Sequence, residues 1–244
     1  MSVHLVGAGP GDPRLLTRAA IDALAHADAV VYDRASLDEV AALAAPHAQR
    51  HLVGLAPGRR ALPQADVNEL LIELGRDQQV VRLKSGDPFV ASRGGEEARA
   101  LAAAGIEVRV TPGVSAALAA PAAAGIPLML RELSVTVTVV DGNADPGHGS
   151  PPDWEAIAKV GGTLVILTGR GHIRRISARL IAGGLAPHTP IAAISAGSRP
   201  SQRVERGTLS GLPPPLPPPV TFVVGEVAAL DLSAFGREAA LAHP

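Results

Sequence analysis

The chain has 244 residues, enough for one large domain or two modest ones of roughly 100 residues each, and too many for a peptide or lone motif. Apolar residues make up 47% and aromatics only 2%, so the core is built from Ala, Val, Leu and Ile, and stacking on bases or sugars is excluded as the main activity. Twenty-two basic residues face 23 acidic ones, leaving no global field for nucleic acid or an anionic membrane. With no cysteine there is no disulfide framework, thiolate metal site or cysteine nucleophile, which suits a reducing cytoplasm.

The N-terminal MSVHLVGAGPGDP has neither the charged start nor the continuous apolar run of a signal peptide. Short Val-rich runs then alternate with Ala/Leu segments of helical period, the pattern of βα units forming a largely parallel sheet. Strands are predicted at Val3–Val6, Ala29–Tyr32, Gln49–Val53, Val80–Leu83 and Glu107–Val110, with helices near Leu15–Ala25, Ala65–Leu74 and Gly95–Ala104. The uncharged run Val110–Leu130 is interrupted by Pro112, Pro121 and Pro127, so it reads as a buried turn and a small-residue helix rather than a membrane span. Beyond Leu130 the character changes. Ser134–Val140, Thr163–Leu167, Ile191–Ile194, Arg203–Leu209 and Val220–Val224 read as strands, the last two joined without a full helix, which implies a mixed sheet. Asp141–Pro152 reads as a surface loop and Pro213–Pro219 as an extended connector.

Two constellations stand at predicted strand ends. Gly7-Ala8-Gly9-Pro10-Gly11-Asp12 is a Gly-rich turn before a helix, but its spacing is not that of a dinucleotide fingerprint and Pro10 removes one N–H donor. Arg82-Leu83-Lys84-Ser85-Gly86-Asp87-Pro88-Phe89 ends another strand, where open α/β sheets place ligands; Lys84 and Asp87 are equally readable there as a solvated loop pair. Arg93-Gly94-Gly95-Glu96-Glu97 reads as a helix entry, with the glutamates at the positive end of the dipole and Arg93 facing an anion. His47 and His51 have the i, i+4 spacing of a metal pair, but Pro46 and the strand that follows disfavour a helix, and no metal site is expected.

The ordered string of motifs resembles the tetrapyrrole methylase superfamily, and within it the uroporphyrinogen-III C-methyltransferases. It consists of VHLVGAGPGDPRLLT, VVYDR at Val30–Arg34, VVRLKSGDPFVASRGGEEA at Val80–Ala98, TPGVSAALAAPAAAGIPL at Thr111–Leu128, TLVILTG at Thr163–Gly169, QRVERGTL at Gln202–Leu209 and TFVVGEV at Thr221–Val227. The resemblance implies an α/β, two-domain tetrapyrrole methylase fold with the cofactor cleft between domains, here 1–112 and 113–244, in a cytoplasmic homodimer without nucleic-acid or membrane partners. S-adenosyl-L-methionine is the implied co-substrate, lined by Pro10, Ser85, Gly86, Asp87, Val90, Ser115, Ala116, Thr168 and Gly197, with no metal. The implied reaction is double C-methylation of uroporphyrinogen III to precorrin-2, on the route to sirohaem and cobalamin. Asp33 matches the family's proton acceptor, though as a strand-end aspartate it could equally pair with Arg34 at the surface. Arg59, Arg60, Arg93 and Arg131 are the candidates for holding the tetrapyrrole's carboxylates.

This chain departs from the family on its polar face. Val-Gly-Lys-Arg is here Val53-Gly54-Leu55-Ala56, so Leu55 stands where the family has a proton-donor lysine. A His falls on Arg60, and the Thr-His-Arg after Gly-Ile-Pro-Leu becomes Met129-Leu130-Arg131. Thr-Gly-His becomes Asp141-Gly142-Asn143, Gly-Gly-Asp becomes Ser85-Gly86-Asp87, and Met-Gly becomes Thr168-Gly169. Three readings follow: a uroporphyrinogen-III methyltransferase, a methyltransferase for another anionic tetrapyrrole, or a non-catalytic S-adenosylmethionine-binding paralogue.

Overall fold

The computed structural model describes residues 1–54, 60–143 and 151–232. Contacts divide the chain into two compact units, Met1–Ser115 and Ala116–Pro244.

The first unit contains, in order, β1 (Ser2–Gly7), α1 (Arg18–Ala25), β2 (Ala29–Tyr32), α2 (Asp38–Ala41), β3 (Gln49–Leu52), α3 (Gln64–Asp77), β4 (Gln79–Lys84), α4 (Gly94–Ala103) and β5 (Glu107–Thr111). The strands form one sheet in the order β3-β2-β4-β1-β5, and every pairing is parallel. Helices cover both faces, which is why β2 reads as a continuous apolar run and β4 is buried from Val80 to Lys84. Alternation along the strands divides two cores. Val6, Val30, Val81 and Leu83 pack with Leu24 and Leu37 on one face, while Val3, Leu5, Val31 and Val80 pack with Val67, Leu71 and Leu101 on the other.

The helix expected from Leu15 starts later, because the chain first makes a 3₁₀ turn at Pro13–Leu15, and the Thr17 hydroxyl then caps α1 by accepting the Ala20 N–H at 3.1 Å. In α4 the buried stripe is Gly94, Glu97 and Leu101, one helix face placed against the sheet. A carboxylate therefore sits where an apolar side chain is the norm.

The second unit runs α5 (Ala116–Ala123), β6 (Val137–Asp141), α6 (Trp154–Val160), β7 (Thr163–Leu167), α7 (Ile173–Ala182), β8 (Pro190–Ser195), β9 (Arg203–Thr208) and β10 (Val220–Val224). Its sheet has the order β6-β7-β10-β8-β9 and is mixed: β6 and β7 are parallel, and the other three pairings are antiparallel. On one face, Ile166, Ile191 and Phe222 pack with Ile176 and Leu180 of α7. On the other, Val165, Ile194 and Val223 pack with Ala117 and Ala120 of α5.

The strand expected from Ser134 begins only at Val137, because Ser134 doubles back to exchange backbone hydrogen bonds with Leu130. Helices α6 and α7 fall in segments for which the sequence pattern predicts no element. Of the expected Asp141–Pro152 loop, residues 144–150 lie outside the described residues, and Asp153 just beyond it caps α6 by accepting the Ala156 N–H. Val110–Leu130 is divided between β5 and the eight-residue α5, which carries Pro121 within it. Among the described residues no helix is long and apolar enough to cross a membrane.

Candidate functional site

Four neighbouring strands of the first sheet, β2, β4, β1 and β5, end on the same side, and their carboxyl ends carry Asp33, Ser85–Asp87, Gly9–Pro10 and the turn leading to Ser115. The loops touch backbone to backbone. A Cβ on Gly113 would lie 2.2 Å from the Gly86 carbonyl oxygen, and one on Gly7 would lie 2.4 Å from the Gly113 nitrogen, so side chains are excluded by contact. The Gly9 N–H donates to Gly86 O at 3.1 Å and the Gly86 N–H to Gly9 O at 2.7 Å, which sets Pro10 beside Ser85 and Gly86. Asp87 is a clamp rather than a solvated loop residue. Its Oδ1 accepts the Phe89 N–H at 2.8 Å and its Oδ2 the Gly113 N–H at 3.1 Å, tying the β4 loop to the β5 loop. Ser85 and Val90 are exposed at this rim, and Ala91, next to Val90, has a positive φ of 48°.

Beneath this rim lies a charged cluster. Residues 80, 82 and 84 of β4 point to the face covered by α3 and α4, so Arg82 and Lys84 meet the buried Glu97 of α4. Glu97 Oε1 accepts from Arg82 Nε at 3.1 Å, an Arg82 terminal nitrogen at 2.8 Å, Lys84 Nζ at 3.0 Å and Gln64 Nε2 at 3.2 Å, while Oε2 is buried without a partner. The same Arg82 nitrogen donates to Asp33 Oδ1 at 2.6 Å, and Lys84 Nζ stands 3.6 Å from Asp33 Oδ2. Side-chain exposure is 1% for Arg82, 5% for Lys84, 0% for Glu97 and 37% for Asp33, so three charges are dry and Asp33 alone opens to solvent.

Burial pushes the Asp33 carboxyl up, but the charges and hydrogen bonds of Arg82 and Lys84 together hold it below the usual carboxylate range. For Arg82, burial disfavours the charge, yet Glu97 and Asp33 outweigh it and its pKa is raised. The surface pairing of Asp33 with Arg34 is thus replaced by one with Arg82. Glu97, expected to decorate a helix start, is instead the hub of the cluster. Beside them, burial and a hydrogen bond to Asp38 push the Tyr32 phenol up to about 12.

In the second unit Thr168 ends β7 with a positive φ of 60°, and its hydroxyl donates to Asp141 Oδ1 at 2.6 Å at the end of β6. Asn143 Oδ1 accepts the Gly169 N–H at 3.1 Å, and a Cβ on Gly142 would come within 2.9 Å of the Gly169 Cα. The two departures from the family motifs, Asp141-Gly142-Asn143 and Thr168-Gly169, therefore bond to each other. Gly197 lies against α5, where a Cβ would meet that of Ala120 at 2.4 Å, and both its neighbours, Ala196 and Ser198, have positive φ. Ala116 is the first residue of α5.

Of the predicted arginines, Arg60, Arg93 and Arg131 are exposed, with Arg93 capping α4 and Arg131 in the turn before β6. Arg59, Leu55 and Ala56 lie outside the described residues. His47 sits in a turn and His51 in β3, so they share no helix face. A groove of about 530 Å³ in the second unit is lined by Leu118, Ala122, Ile126, Pro127 and Leu128 among others, and offers no cation to a polycarboxylate.

The sequence and the fold both match known proteins. The sequence model of the tetrapyrrole (corrin/porphyrin) methylases matches residues 2–213, across both units. The chain belongs to this family. Among relatives of this methylase, the S-adenosyl-L-methionine-dependent uroporphyrinogen III methyltransferase of Methanosarcina barkeri is 43% identical over 239 residues, covering 93% of this chain and 92% of that one. Siroheme synthase 3 of Aeromonas hydrophila is 44% identical over 241 residues, covering 96% of this chain; the methylase spans only 51% of that longer protein. Uroporphyrin-III C-methyl transferase of Thermus thermophilus, solved in complex with S-adenyl homocysteine, superposes with a TM-score of 0.80 at 37% identity, covering 93% of this chain and 98% of that one. The family expected from the motifs is therefore the family found, and the two-sheet α/β fold with it.

Proposed function

We propose that this methylase is an S-adenosyl-L-methionine-dependent C-methyltransferase that converts uroporphyrinogen III to precorrin-2, in the service of sirohaem or cobalamin synthesis. The observation that carries this reading is the 43% identity to the Methanosarcina barkeri methyltransferase along nearly the whole of both chains. The site residues fit the co-substrate in chemistry: hydrogen-bonded backbone loops, an exposed hydroxyl at Ser85 and an apolar wall at Val90 suit an amino acid joined to a nucleoside. Positive φ at Ala91, Thr168, Ala196 and Ser198 adds to this, because such strained backbone concentrates at ligand sites. Pro10, Ser85, Gly86, Asp87, Val90 and Ser115 would hold it from the first unit, and Ala116, Thr168 and Gly197 from the second. When bound, S-adenosylmethionine supplies a sulfonium-borne methyl group open to attack by an electron-rich pyrrole carbon.

The chain's own part is to hold the tetrapyrrole and move a proton. Asp33 is kept ionised by Arg82 and Lys84 while remaining open to solvent, so it accepts the proton that the ring must lose. A carboxylate of lowered basicity suffices, because that proton leaves a cationic ring. Arg59, Arg60, Arg93 and Arg131 bind the substrate's carboxylates as charge-assisted pairs. The family resemblance also brings a homodimer working in the cytoplasm, with methylase domains 1–112 and 113–244; light scattering on the purified chain tests the first of these.

The second reading, a different anionic tetrapyrrole, is favoured by the substrate-side departures from the family motifs, among them the exposed Leu130 and Asn143, which accepts the Gly169 N–H. An anaerobic assay with enzymatically generated uroporphyrinogen III and S-adenosylmethionine, read by mass spectrometry, decides between them. The proposal expects a gain of two methyl groups that Asp33→Ala abolishes and Leu55→Lys leaves in place or increases. Co-substrate binding without any methyl gain on this substrate would reject it in favour of the second reading or a binding-only role.

A further inference from the structure

The buried charges beneath Asp33 have no task in the scheme above beyond their contact with it, and their arrangement gives them one. Lys84 is one of only two lysines among the 22 basic residues, and it lies in the interior. A dry cluster of two cations and a carboxylate is a poor way to stabilise a fold compared with apolar packing, so its value has to lie elsewhere. Four donors converge on a single oxygen of Glu97, which pins the Arg82 guanidinium through two of its nitrogens and leaves one of these free to reach Asp33 Oδ1 as well. Arg82 Nη1 also donates to the Val31 carbonyl at 3.4 Å. The guanidinium plane is therefore fixed from two sides before it meets Asp33.

We propose that Arg82, Lys84 and Glu97 are positioning residues that fix the Asp33 carboxylate in one orientation and hold it ionised, with Glu97 limiting how strongly the two cations bind it. The inference rests on the reading of Asp33 as proton acceptor for its catalytic meaning, but the coupling among the four groups is testable without turnover. Among the described residues, the charged groups that face Asp33 are Arg82 and Lys84 from β4, with Glu97 of α4 directly behind them; Tyr32, next in sequence, has its phenol turned to Asp38. From β3 the contact is backbone, at Gly54. Removing Arg82's charge has to raise the pH at which Asp33 protonates. Removing Glu97's charge has to lower it. A cluster that only supported the fold would not give opposite signs.

The test is carbon-13 NMR of the full chain labelled at aspartate carboxyls, with the Asp33 signal assigned by its absence in Asp33→Asn and the fold followed by circular dichroism at each pH. In the unmodified protein and in Arg82→Lys, Asp33 is expected to stay ionised down to pH ~4, near the ordinary carboxylate midpoint. In Arg82→Gln and in Lys84→Met its midpoint is expected to rise by about one pH unit or more. In Glu97→Gln it stays ionised throughout the range, and methyl transfer slows because the base is weaker. Arg82→Gln leaving Asp33 fully ionised at pH 4, or Glu97→Gln raising its midpoint as Arg82→Gln does, would overturn the proposal. Should Arg82→Gln fail to fold, Lys84→Met carries the same test. If the NMR pattern appears while the unmodified protein transfers no methyl group to uroporphyrinogen III, the cluster stands and the assigned reaction falls.

Discussion

Truncating Glu97 to alanine is expected to be among the most damaging single changes in the first unit. The side chain is 0% exposed and gathers Arg82, Lys84 and Gln64 on one oxygen, while its cation partners are 1% and 5% exposed. Without it, two buried cations are left with one partly solvated carboxylate, Asp33. Leaving a buried charge uncompensated costs about 3–5 kcal/mol, against about 1 kcal/mol for an ordinary hydrogen bond, so the charge term decides. Urea unfolding of Glu97→Ala should therefore lose about 3–5 kcal/mol relative to the unmodified chain. The triple change Arg82→Met, Lys84→Met, Glu97→Leu removes all three charges in similar volume and should recover most of that loss, while abolishing whatever Asp33 does. A loss below about 1 kcal/mol for Glu97→Ala would refute the reasoning, since that is the range of exposed pairs. A triple variant no more stable than Glu97→Ala would refute it equally, by showing that the cluster's packing, not its charge balance, was removed.

Other outcomes follow from single contacts. Tyr32 is the only tyrosine, so phenolate absorbance reports it alone; it should stay absent until pH nears 12, and stability linked to it should be lost as pH climbs from the unfolded value near 10 toward 12. A midpoint near 10 in the folded protein would contradict this. His4 is held neutral, its pKa lowered by burial and then by Arg109, so it contributes stability above the unfolded midpoint of about 6.5 that is lost as pH falls below it; His4→Gln should flatten the urea-unfolding profile between pH 7 and 5. A Cβ at Gly54 would sit 1.5 Å from the Asp33 carbonyl oxygen, whereas one at Gly95 meets nothing within 4 Å. Gly54→Ala should cost about 3 kcal/mol by forcing β2 and β3 apart, and Gly95→Ala in α4 should gain about 1 kcal/mol, both read by thermal unfolding.

The parallel half of the fold was legible because its signals are local. Val-rich runs in a doubly covered sheet and intervening helical periods are visible within ten residues, and the strands of the first unit fall within a residue or two of their expected bounds. The mixed second sheet was legible from strands joined without helices. Helix α7 has a readable period in Ile173, Ile176 and Leu180, but it is short and lies between two β-branched runs that dominate the local pattern. Ser134 reads as part of β6 from sequence, because β-branched composition cannot reveal that a turn has reversed the chain. At the candidate site, the family motif singles out Asp33 but not its partners. Arg82 and Glu97 are 15 residues apart and meet only because α4 returns across the sheet face. The signal for them was a conflict: a strand buried on both faces that carries Arg82 and Lys84, and a helix stripe that carries Glu97, must satisfy one another's charge.

The strand order of the second sheet also governs how the chain can be made. Among the described residues β10 is the last strand in chain order, yet it lies at the centre of its sheet, between β7 and β8. Until Val220–Val224 has left the ribosome, the β6–β7 pair and the β8–β9 hairpin have no strand to join them, and each presents an open edge, Thr163–Leu167 or Ile191–Ser195, that the finished sheet buries. Nascent chains stalled before residue 220 would carry two adhesive edges at once, the condition under which strands pair with the wrong neighbour. The closing strand thus acts as a checkpoint on biogenesis: the second unit matures in one late step, and C-terminal nicks that spare every site residue can still deny it a native sheet.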